Sequence, residues 1–117
     1  MSSILLVEDD LNARAGLVEI LADEGYSVES AGDAEAALKK LKSGHVDLLL
    51  SDFRLPDLSG IELHRKVKEV NPQVQTIIMS AYCIPERVVE AQELGVFSWL
   101  TKPLQVDALL STIKKAL

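Results

Sequence analysis

The sequence predicts an α/β fold in which helices cover both faces of a five-stranded parallel sheet. Five short, mostly apolar segments alternate with five segments whose apolar residues recur at helical spacing. Such alternation favours a parallel sheet, because parallel strands need a crossover connection that is usually a helix. Right-handed crossovers leave few doubly wound topologies, and the strand order 2-1-3-4-5 is the common one for five strands.

The strand segments are short apolar runs, typical of strands that are buried on both faces of a sheet. The second segment differs, because polar and apolar residues alternate along it as in a strand with one polar side. In chain order, the strands are predicted at residues 4–7, 26–31, 48–50, 76–79 and 96–100.

The first three helices have recognisable ends. Gly25 is placed to end the first helix, and Asp33 is the expected N-cap of the second. Ser59 and Glu62 match a capping box at the start of the third helix, which Asn71-Pro72 ends near residue 70.

The last two helices follow the same rules. Pro85 fits the first turn of the fourth helix, and Gly95 closes it. Val88 and Val89 cannot both face the core from one helix, so one of them is a candidate for a partner surface. The apolar positions of the fifth helix are Val106, Leu109, Leu110, Ile113 and Leu117.

Composition excludes several classes of protein. The 117 residues suit one domain, residues 1–117, and the formal net charge of −6 argues against a nucleic-acid-binding surface. No apolar run approaches the roughly 20 residues of a membrane span, and the first residues lack signal-peptide features. The single cysteine, Cys83, excludes an internal disulfide and fits a reducing compartment. We therefore expect a cytoplasmic domain with an inert thiol.

Ionisable and hydroxyl side chains follow four of the five predicted strands. They are Glu8, Asp9, Asp10, Asp52, Ser80 and Lys102. In open α/β sheets, ligands bind outside the carboxyl ends of the strands, and the switch point here lies between the first and third strands. Carboxylates gathered at one point repel each other unless a cation is present, and an all-oxygen ligand set suits Mg²⁺.

A site of this composition favours phosphoryl transfer to a carboxylate. Asp52 is the candidate nucleophile, and it needs no general base because a carboxylate is ionised at neutral pH. Lys102 and the metal would balance the charge of the phosphoryl oxygens, while Ser80 would donate a hydrogen bond to them.

These residues, taken in order, resemble the receiver (phosphoacceptor) domain of two-component response regulators over essentially the whole chain. The matching segments are Leu6-Val7-Glu8-Asp9-Asp10, Ser51-Asp52-Phe53-Arg54-Leu55-Pro56, Met79-Ser80-Ala81 and Lys102-Pro103, together with Gly60 and Gly95. The resemblance implies a flavodoxin-like (βα)5 fold. The segment Phe97-Ser98-Trp99-Leu100-Thr101-Lys102-Pro103 looks most like the nitrogen-regulation (NtrC-like) type.

The resemblance also implies a role for each site residue. Asp52 would accept a phosphoryl group from a histidine kinase or phosphotransfer protein. Glu8 and Asp9 would hold Mg²⁺ together with Asp52 and the backbone carbonyl of Arg54. The Lys102-Pro103 peptide bond is expected to be cis, which only an X-Pro bond allows at low cost.

Three further positions relate to switching and to phosphoryl lifetime in the family. Trp99 stands at the aromatic switch position, where Tyr or Phe is usual, and would act together with Ser80. A buried indole needs more room and a partner for its N–H. Arg54 and Tyr82 stand at the positions that tune phosphoryl lifetime.

The implied function is a signalling switch and not an enzyme, since it catalyses only its own phosphoryl transfer and autodephosphorylation. Its state would reach an output domain or partner protein through the fourth helix, the fifth strand and the fifth helix. A homodimer formed on phosphorylation fits this scheme. Direct nucleic-acid binding and membrane contact by this domain are not expected.

Three other functions compete with this one. A flavin-binding domain of the same topology would carry a Ser/Thr/Gly-rich phosphate loop after its first strand, where this chain has three acids. A phosphatase of the haloacid-dehalogenase type would carry an Asp-x-Asp motif, in which the second acid protonates the leaving group. In this chain Arg54 occupies the position of that second acid. A degenerate receiver that acts as a constitutive protein-interaction module is the remaining alternative, through the unusual Trp99.

Several residues keep simpler interpretations. Asp10 either caps the first helix or supports the metal site. His45 and His64 are expected to face solvent, because the sequence offers neither of them a metal-binding partner.

Overall fold

The computed structural model describes residues 1–117 and contains five strands and five helices in strict alternation. The strands are β1 Ser3–Val7, β2 Ser27–Ala31, β3 Leu48–Asp52, β4 Gln75–Ser80 and β5 Ser98–Thr101. The helices are α1 Leu11–Asp23, α2 Ala34–Ser43, α3 Gly60–Val70, α4 Pro85–Glu93 and α5 Val106–Ala116. None of these helices combines the length and the apolar character needed to cross a bilayer.

The sheet is parallel throughout, in the order β2-β1-β3-β4-β5. The predicted α/β class and strand order are therefore confirmed. At the centre, Val7 of β1 pairs with Ser51 of β3, so that the two strands end side by side. Ser80 of β4 pairs with Thr101 of β5 in the same way. This register delivers the residues after each strand to one edge of the sheet.

The two faces of the sheet have separate cores, because successive side chains of a strand point to opposite faces. Leu5 and Leu49 pack with α2 and α3 on one face, while Leu6 and Leu50 pack with α1 and α5 on the other. Helix α4 packs on the same face as α3, through Ala91 against Ile78 of β4. Burying each leucine contributes about 1.5–3 kcal/mol, so the central strands are the most firmly held part of the chain.

Three helices begin with a side-chain cap, and each such cap contributes about 1 kcal/mol. The caps are Asp10 on the Asn12 N–H at 3.1 Å, Asp33 on the Ala36 N–H at 2.8 Å, and Ser59 on the Glu62 N–H at 3.1 Å. Gly25 and Gly95, which follow α1 and α4, have φ angles of +93° and +87°. Left-handed geometry of this kind favours glycine after a helix, as predicted.

Helix α2 has a second anchor that sequence analysis missed. Asp57, in the loop between β3 and α3, accepts hydrogen bonds from the N–H groups of Ala34 and Glu35, both at 3.0 Å. These bonds hold the pKa of the Asp57 carboxyl below its usual range, and the bond from the Ala34 N–H contributes most. The loop that follows β3 is thereby tied to the start of α2.

Strand β5 begins later than predicted. The Val96 N–H donates to the Ala91 carbonyl at 3.0 Å, so Val96 belongs to the turn that ends α4. The ladder with β4 begins at Ser98, which pairs with Ile77. The apolar run from residue 96 therefore combines a helix-ending turn with a short strand.

The expectation that His64 faces solvent is wrong. His64 lies on the buried side of α3 and is 1% exposed. Its Nε2 lies 2.8 Å from the Leu94 carbonyl oxygen, and its Nδ1 lies 2.7 Å from Thr76 Oγ1. Because a carbonyl only accepts, Nε2–H is the donor to Leu94, and the neutral ring accepts the Thr76 hydroxyl at Nδ1. His64 thus joins α3 to β4 and to the end of α4. His45 is exposed, as expected, and the free thiol of Cys83 is also exposed.

The buried imidazole predicts a pH dependence of stability. Burial lowers the pKa of His64, and the charges of Lys68 and Arg65 act in the same direction. The unfolded chain therefore takes up this proton at higher pH than the folded chain. The stabilisation is complete above the unfolded pKa of about 6.5 and is lost as the pH falls from there towards the folded pKa.

We expect the free energy of unfolding to fall more in the wild type than in His64→Gln between about pH 7.5 and about pH 5.5. Urea denaturation at the two pH values measures this difference. His45→Gln, which removes the exposed histidine, is the matched control and should keep the wild-type dependence. Equal pH dependence in the wild type and His64→Gln would contradict the prediction.

Candidate functional site

Three carboxylates meet where β1 and β3 end. One carboxylate oxygen from each of Glu8, Asp9 and Asp52 lies within 4.8 Å of the other two. Glu8 continues the line of β1, because its N–H donates to the Ala31 carbonyl of β2 at 3.0 Å. The structure therefore brings together three of the acids that sequence analysis singled out.

Lys102 reaches this acidic cluster from the end of β5. Its Nζ lies 2.9 Å from Glu8 Oε1 and 3.2 Å from Asp52 Oδ2. Its backbone N–H donates to the Ser80 carbonyl at 2.7 Å, and the following Lys102–Pro103 peptide bond is cis. Burial alone would lower the pKa of Lys102, but the Glu8 hydrogen bond and the charge of Asp52 outweigh it and raise that pKa. The ammonium therefore stays charged.

Glu8 is a buried acid whose carboxylate is only partly compensated by neighbouring groups. It is 2% exposed, and its Oε2 is buried without a hydrogen-bond partner. Burial raises the pKa of the Glu8 carboxyl, and the neighbouring Asp52 adds to this, while Lys102 offsets only part of it. A buried carboxylate oxygen without a partner costs free energy unless a cation or donor satisfies it. Clustered carboxylate oxygens fit Mg²⁺, which binds through one or two carboxylates, waters and phosphate oxygens.

Arg54 and Tyr82 form a pair beside the ends of β3 and β4. The Arg54 guanidinium carbon lies 5.2 Å from the centroid of the Tyr82 ring, a cation–π distance. The Tyr82 N–H donates to Ser80 Oγ at 3.1 Å. Ser80 itself is buried at the end of β4. The contact couples the residue two positions after Asp52 to the residue two positions after Ser80.

Trp99 is half-buried in β5 and packs against the residue that follows Asp52. Its ring centroid lies 5.1 Å from that of Phe53, with the planes tilted by 45°. The indole Nε1 is buried but has no hydrogen-bond partner. The requirement for an N–H partner, anticipated from the sequence, is therefore not met in this arrangement.

Gly60 lets α3 begin close against the end of β3. A Cβ atom at this position would lie 2.6 Å from the Asp52 carbonyl oxygen and 3.2 Å from Phe53 Cα. Both atoms belong to the backbone, so neither can move aside cheaply. The Gly60 N–H donates to the Phe53 carbonyl at 2.7 Å. Only glycine permits this approach, which fixes the backbone around Asp52.

The carboxylate of Asp10 serves a different purpose from those of Glu8 and Asp9. It caps α1, which is one of the two roles left open by the sequence. One residue beside the site was missed. Arg14 Nη1 donates to the backbone carbonyl of Glu8 at 3.2 Å. An arginine one turn after an acidic strand end is a sequence signal that could have indicated it.

Comparison with known proteins agrees with this geometry. The family model described as "Response regulator receiver domain" matches residues 4–114. The transcriptional regulatory protein ZraR of Escherichia coli is 37% identical over 114 residues, covering 97% of this chain and 26% of ZraR. The DNA-binding transcriptional regulator NtrC of Azospirillum brasilense is 33% identical, covering 99% of this chain and 24% of NtrC.

A solved structure extends the comparison to three dimensions. The response regulator TrrA of Thermotoga maritima, in complex with Mg²⁺ and BeF, superposes with a TM-score of 0.89. Its sequence is 32% identical, and each chain is covered completely. This chain spans about a quarter of the length of these curated relatives, namely 26% of ZraR and 24% of NtrC.

Proposed function

Because the chain belongs to the response regulator receiver domain family, whose members act as signalling switches and not as conventional enzymes, we propose that Asp52 is its phosphoacceptor. The phosphoryl group would come from a histidine kinase or phosphotransfer protein. The observation that carries the proposal is the convergence of Glu8, Asp9 and Asp52, with Lys102 Nζ 3.2 Å from Asp52 Oδ2.

The proposed reaction is an in-line transfer. A carboxylate oxygen of Asp52 attacks the phosphorus atom, the new O–P bond forms, and the bond between phosphorus and the donor's imidazole nitrogen breaks. Lys102, already beside Asp52, offsets negative charge on the phosphoryl oxygens. The Ser80 hydroxyl donates a hydrogen bond to one of these oxygens. Autodephosphorylation is the attack of water on the same phosphorus atom, in which the bond between phosphorus and the Asp52 oxygen breaks and inorganic phosphate leaves.

Four residues would hold Mg²⁺ in this scheme: Glu8, Asp9, Asp52 and Arg54, the last through its backbone carbonyl. The buried, unpartnered Oε2 of Glu8 supports this assignment. So does the similar structure of TrrA, which was solved with Mg²⁺ and BeF. The ion would neutralise negative charge that develops on the phosphoryl oxygens.

The phosphorylated state is proposed to act through α4, β5 and α5. Exposed apolar side chains on or next to these elements support this surface, namely Val89, Phe97 and Val106. Val89 is thus our choice for the partner-facing member of the Val88–Val89 pair. A phosphorylation-dependent homodimer through the same surface belongs to the proposal. NtrC is named as a DNA-binding regulator. The formal net charge of −6 on this chain argues against DNA binding by the receiver domain itself.

Domain extent and location complete the proposal. We infer that residues 1–117 form one receiver domain, because the family model spans residues 4–114 and one sheet runs through the chain. The relatives named as transcriptional regulators favour action in the cytoplasm, where their DNA lies.

The phosphoacceptor is tested by Asp52→Asn. With Mg²⁺ and acetyl phosphate, the wild type should gain the mass of one phosphoryl group and the variant none, because an amide is not a nucleophile here. Intact-protein mass spectrometry measures the gain. Asp10→Asn is the matched control, since asparagine caps a helix as well as aspartate does, and it should be phosphorylated normally. A wild type that stays unmodified would favour the degenerate receiver instead.

The switch role of Trp99 is tested by fluorescence, which is specific because the chain has one tryptophan. Adding Mg²⁺ and beryllofluoride, which stands in for the phosphoryl group, should change the emission of Trp99, since its ring packs against Phe53 next to Asp52. Asp52→Asn should show no change. Unchanged emission in a wild type that carries a phosphoryl group on Asp52 would contradict the switch role and leave the chemistry intact.

The Arg54–Tyr82 pair predicts a shared effect on phosphoryl lifetime. We propose that the pair limits access of water to Asp52, so Arg54→Ala and Tyr82→Ala should each shorten the lifetime by about 2- to 5-fold, the worth of a cation–π contact. The double variant should be no faster than either single one, because both changes remove one interaction.

Tyr82→Phe is the control for this pair, since it keeps the aromatic face and should keep the wild-type lifetime. Loss of phosphoryl group from purified phosphoprotein gives the rates. Additive effects of Arg54→Ala and Tyr82→Ala would show that the two residues act separately.

A further inference from the structure

The side chain of Arg14 contacts the acidic loop between β1 and α1. The Arg14 backbone N–H makes an ordinary helical bond to the Asp10 carbonyl at 2.9 Å, whereas its side chain turns back so that Nη1 donates to the Glu8 carbonyl at 3.2 Å. The Glu8 N–H is already bonded to the Ala31 carbonyl at 3.0 Å. Both peptide groups of Glu8 are therefore held, and the second of them leads directly into Asp9.

Gly32 provides the space that the guanidinium occupies. A Cβ atom at Gly32 would lie 2.5 Å from Arg14 Nη1 and 3.7 Å from Arg14 Cζ. These atoms are the far end of a flexible side chain, so a larger residue at this position would displace the guanidinium at little cost to the fold. The glycine and the arginine thus form one structural unit across the ends of β1 and β2.

The placement of Arg14 is not explained by helix stability. It lies near the N-terminus of α1, where the helix dipole is positive and a cation is unfavourable. The contact that the structure shows is with the carbonyl of Glu8, the acid whose carboxylate faces Asp52 and Lys102.

We propose that Arg14 is a positioning residue for the acid pair, holding the backbone so that the carboxylates of Glu8 and Asp9 stay directed at Asp52. Like charges at this distance repel, and an unheld loop would relieve the repulsion by turning away. The hold is independent of pH, because a guanidinium stays charged throughout the accessible range. This inference rests on the proposed function, since it concerns the affinity of the same site for Mg²⁺.

The direction in which the Mg²⁺ affinity changes on removal of Arg14 distinguishes a positioning role from a purely electrostatic one. Removing a positive charge near three carboxylates should by itself strengthen the binding of a cation. If Arg14 positions the acids, its removal weakens binding instead. Loss of supporting interactions around metal ligands typically weakens metal affinity by about 10- to 100-fold, and we expect the lower end, about 10-fold, for an indirect contact.

The experiment is a calorimetric Mg²⁺ titration of the unphosphorylated chain in three variants. Arg14→Ala removes the contact, Gly32→Ala displaces the guanidinium while keeping its charge, and Arg14→Lys keeps the charge with a single donor group. We expect about 10-fold weaker binding for Arg14→Ala and Gly32→Ala, and partial recovery for Arg14→Lys. The thermal midpoint measured beside each titration separates weaker binding from loss of fold.

Two controls match these changes. Lys66→Ala removes an exposed positive charge on α3, which packs on the opposite face of the sheet from α1. Gly16→Ala adds a methyl group on α1, where a Cβ would meet nothing within 4 Å. Both should keep the wild-type Mg²⁺ dissociation constant. If Arg14→Ala does not fold, Gly32→Ala still tests the contact. Its added methyl group displaces only the guanidinium end of Arg14, which can move without disturbing the fold.

The outcomes are distinct. Unchanged or tighter Mg²⁺ binding in folded Arg14→Ala and Gly32→Ala would overturn the positioning role while leaving the phosphoacceptor proposal standing. A wild type that binds no Mg²⁺ and gains no phosphoryl group would overturn both. Weaker binding in the two variants, with wild-type binding in the two controls, supports the inference.

Discussion

The mutual repulsion of three carboxylates is the constraint around which this molecule is built. Glu8, Asp9 and Asp52 share one small space, and the ammonium of Lys102 contacts two of them. With three carboxylates and one ammonium, the cluster has a formal charge of −2, which a divalent cation would neutralise. An arrangement of this kind lowers stability until a cation arrives, and it persists only because the surrounding structure holds it.

The hold comes from the hydrophobic core under the site. β1 and β3 run side by side through the centre of the sheet, and their leucines are fully buried on both faces. A one-residue slip of either strand would move each of its side chains to the opposite face of the sheet. The leucines that pack under one pair of helices would then face the other pair. The register that brings Glu8 next to Asp52 is therefore maintained by the apolar burial along both strands.

Much of this organisation was predictable because it depends on local patterns. Short apolar runs mark buried strands, and a residue that ends such a run must lie at the carboxyl edge of the sheet, which is why Asp52, Ser80 and Lys102 could be placed together. The contacts of Asp57 and Arg14 were missed because each side chain reaches a backbone group that only the tertiary structure brings near. For His64 the signal was present, since spacings of four and three from Gly60 and Val67 place it on the buried side of α3.

His64 also has a mechanical consequence for α4. That helix has no side-chain cap at Ile84, whereas the carbonyl of Leu94 at its other end accepts the imidazole N–H. A tilt of α4 that keeps this bond would pivot near the C-terminal end of the helix. With about 1.5 Å of rise per residue, a tilt of about 10° would move the end near Pro85 by roughly 2 Å while Leu94 stays in place. In such a tilt the bond to His64 would lie at the pivot, and the largest displacement would fall beside the loop that follows Ser80.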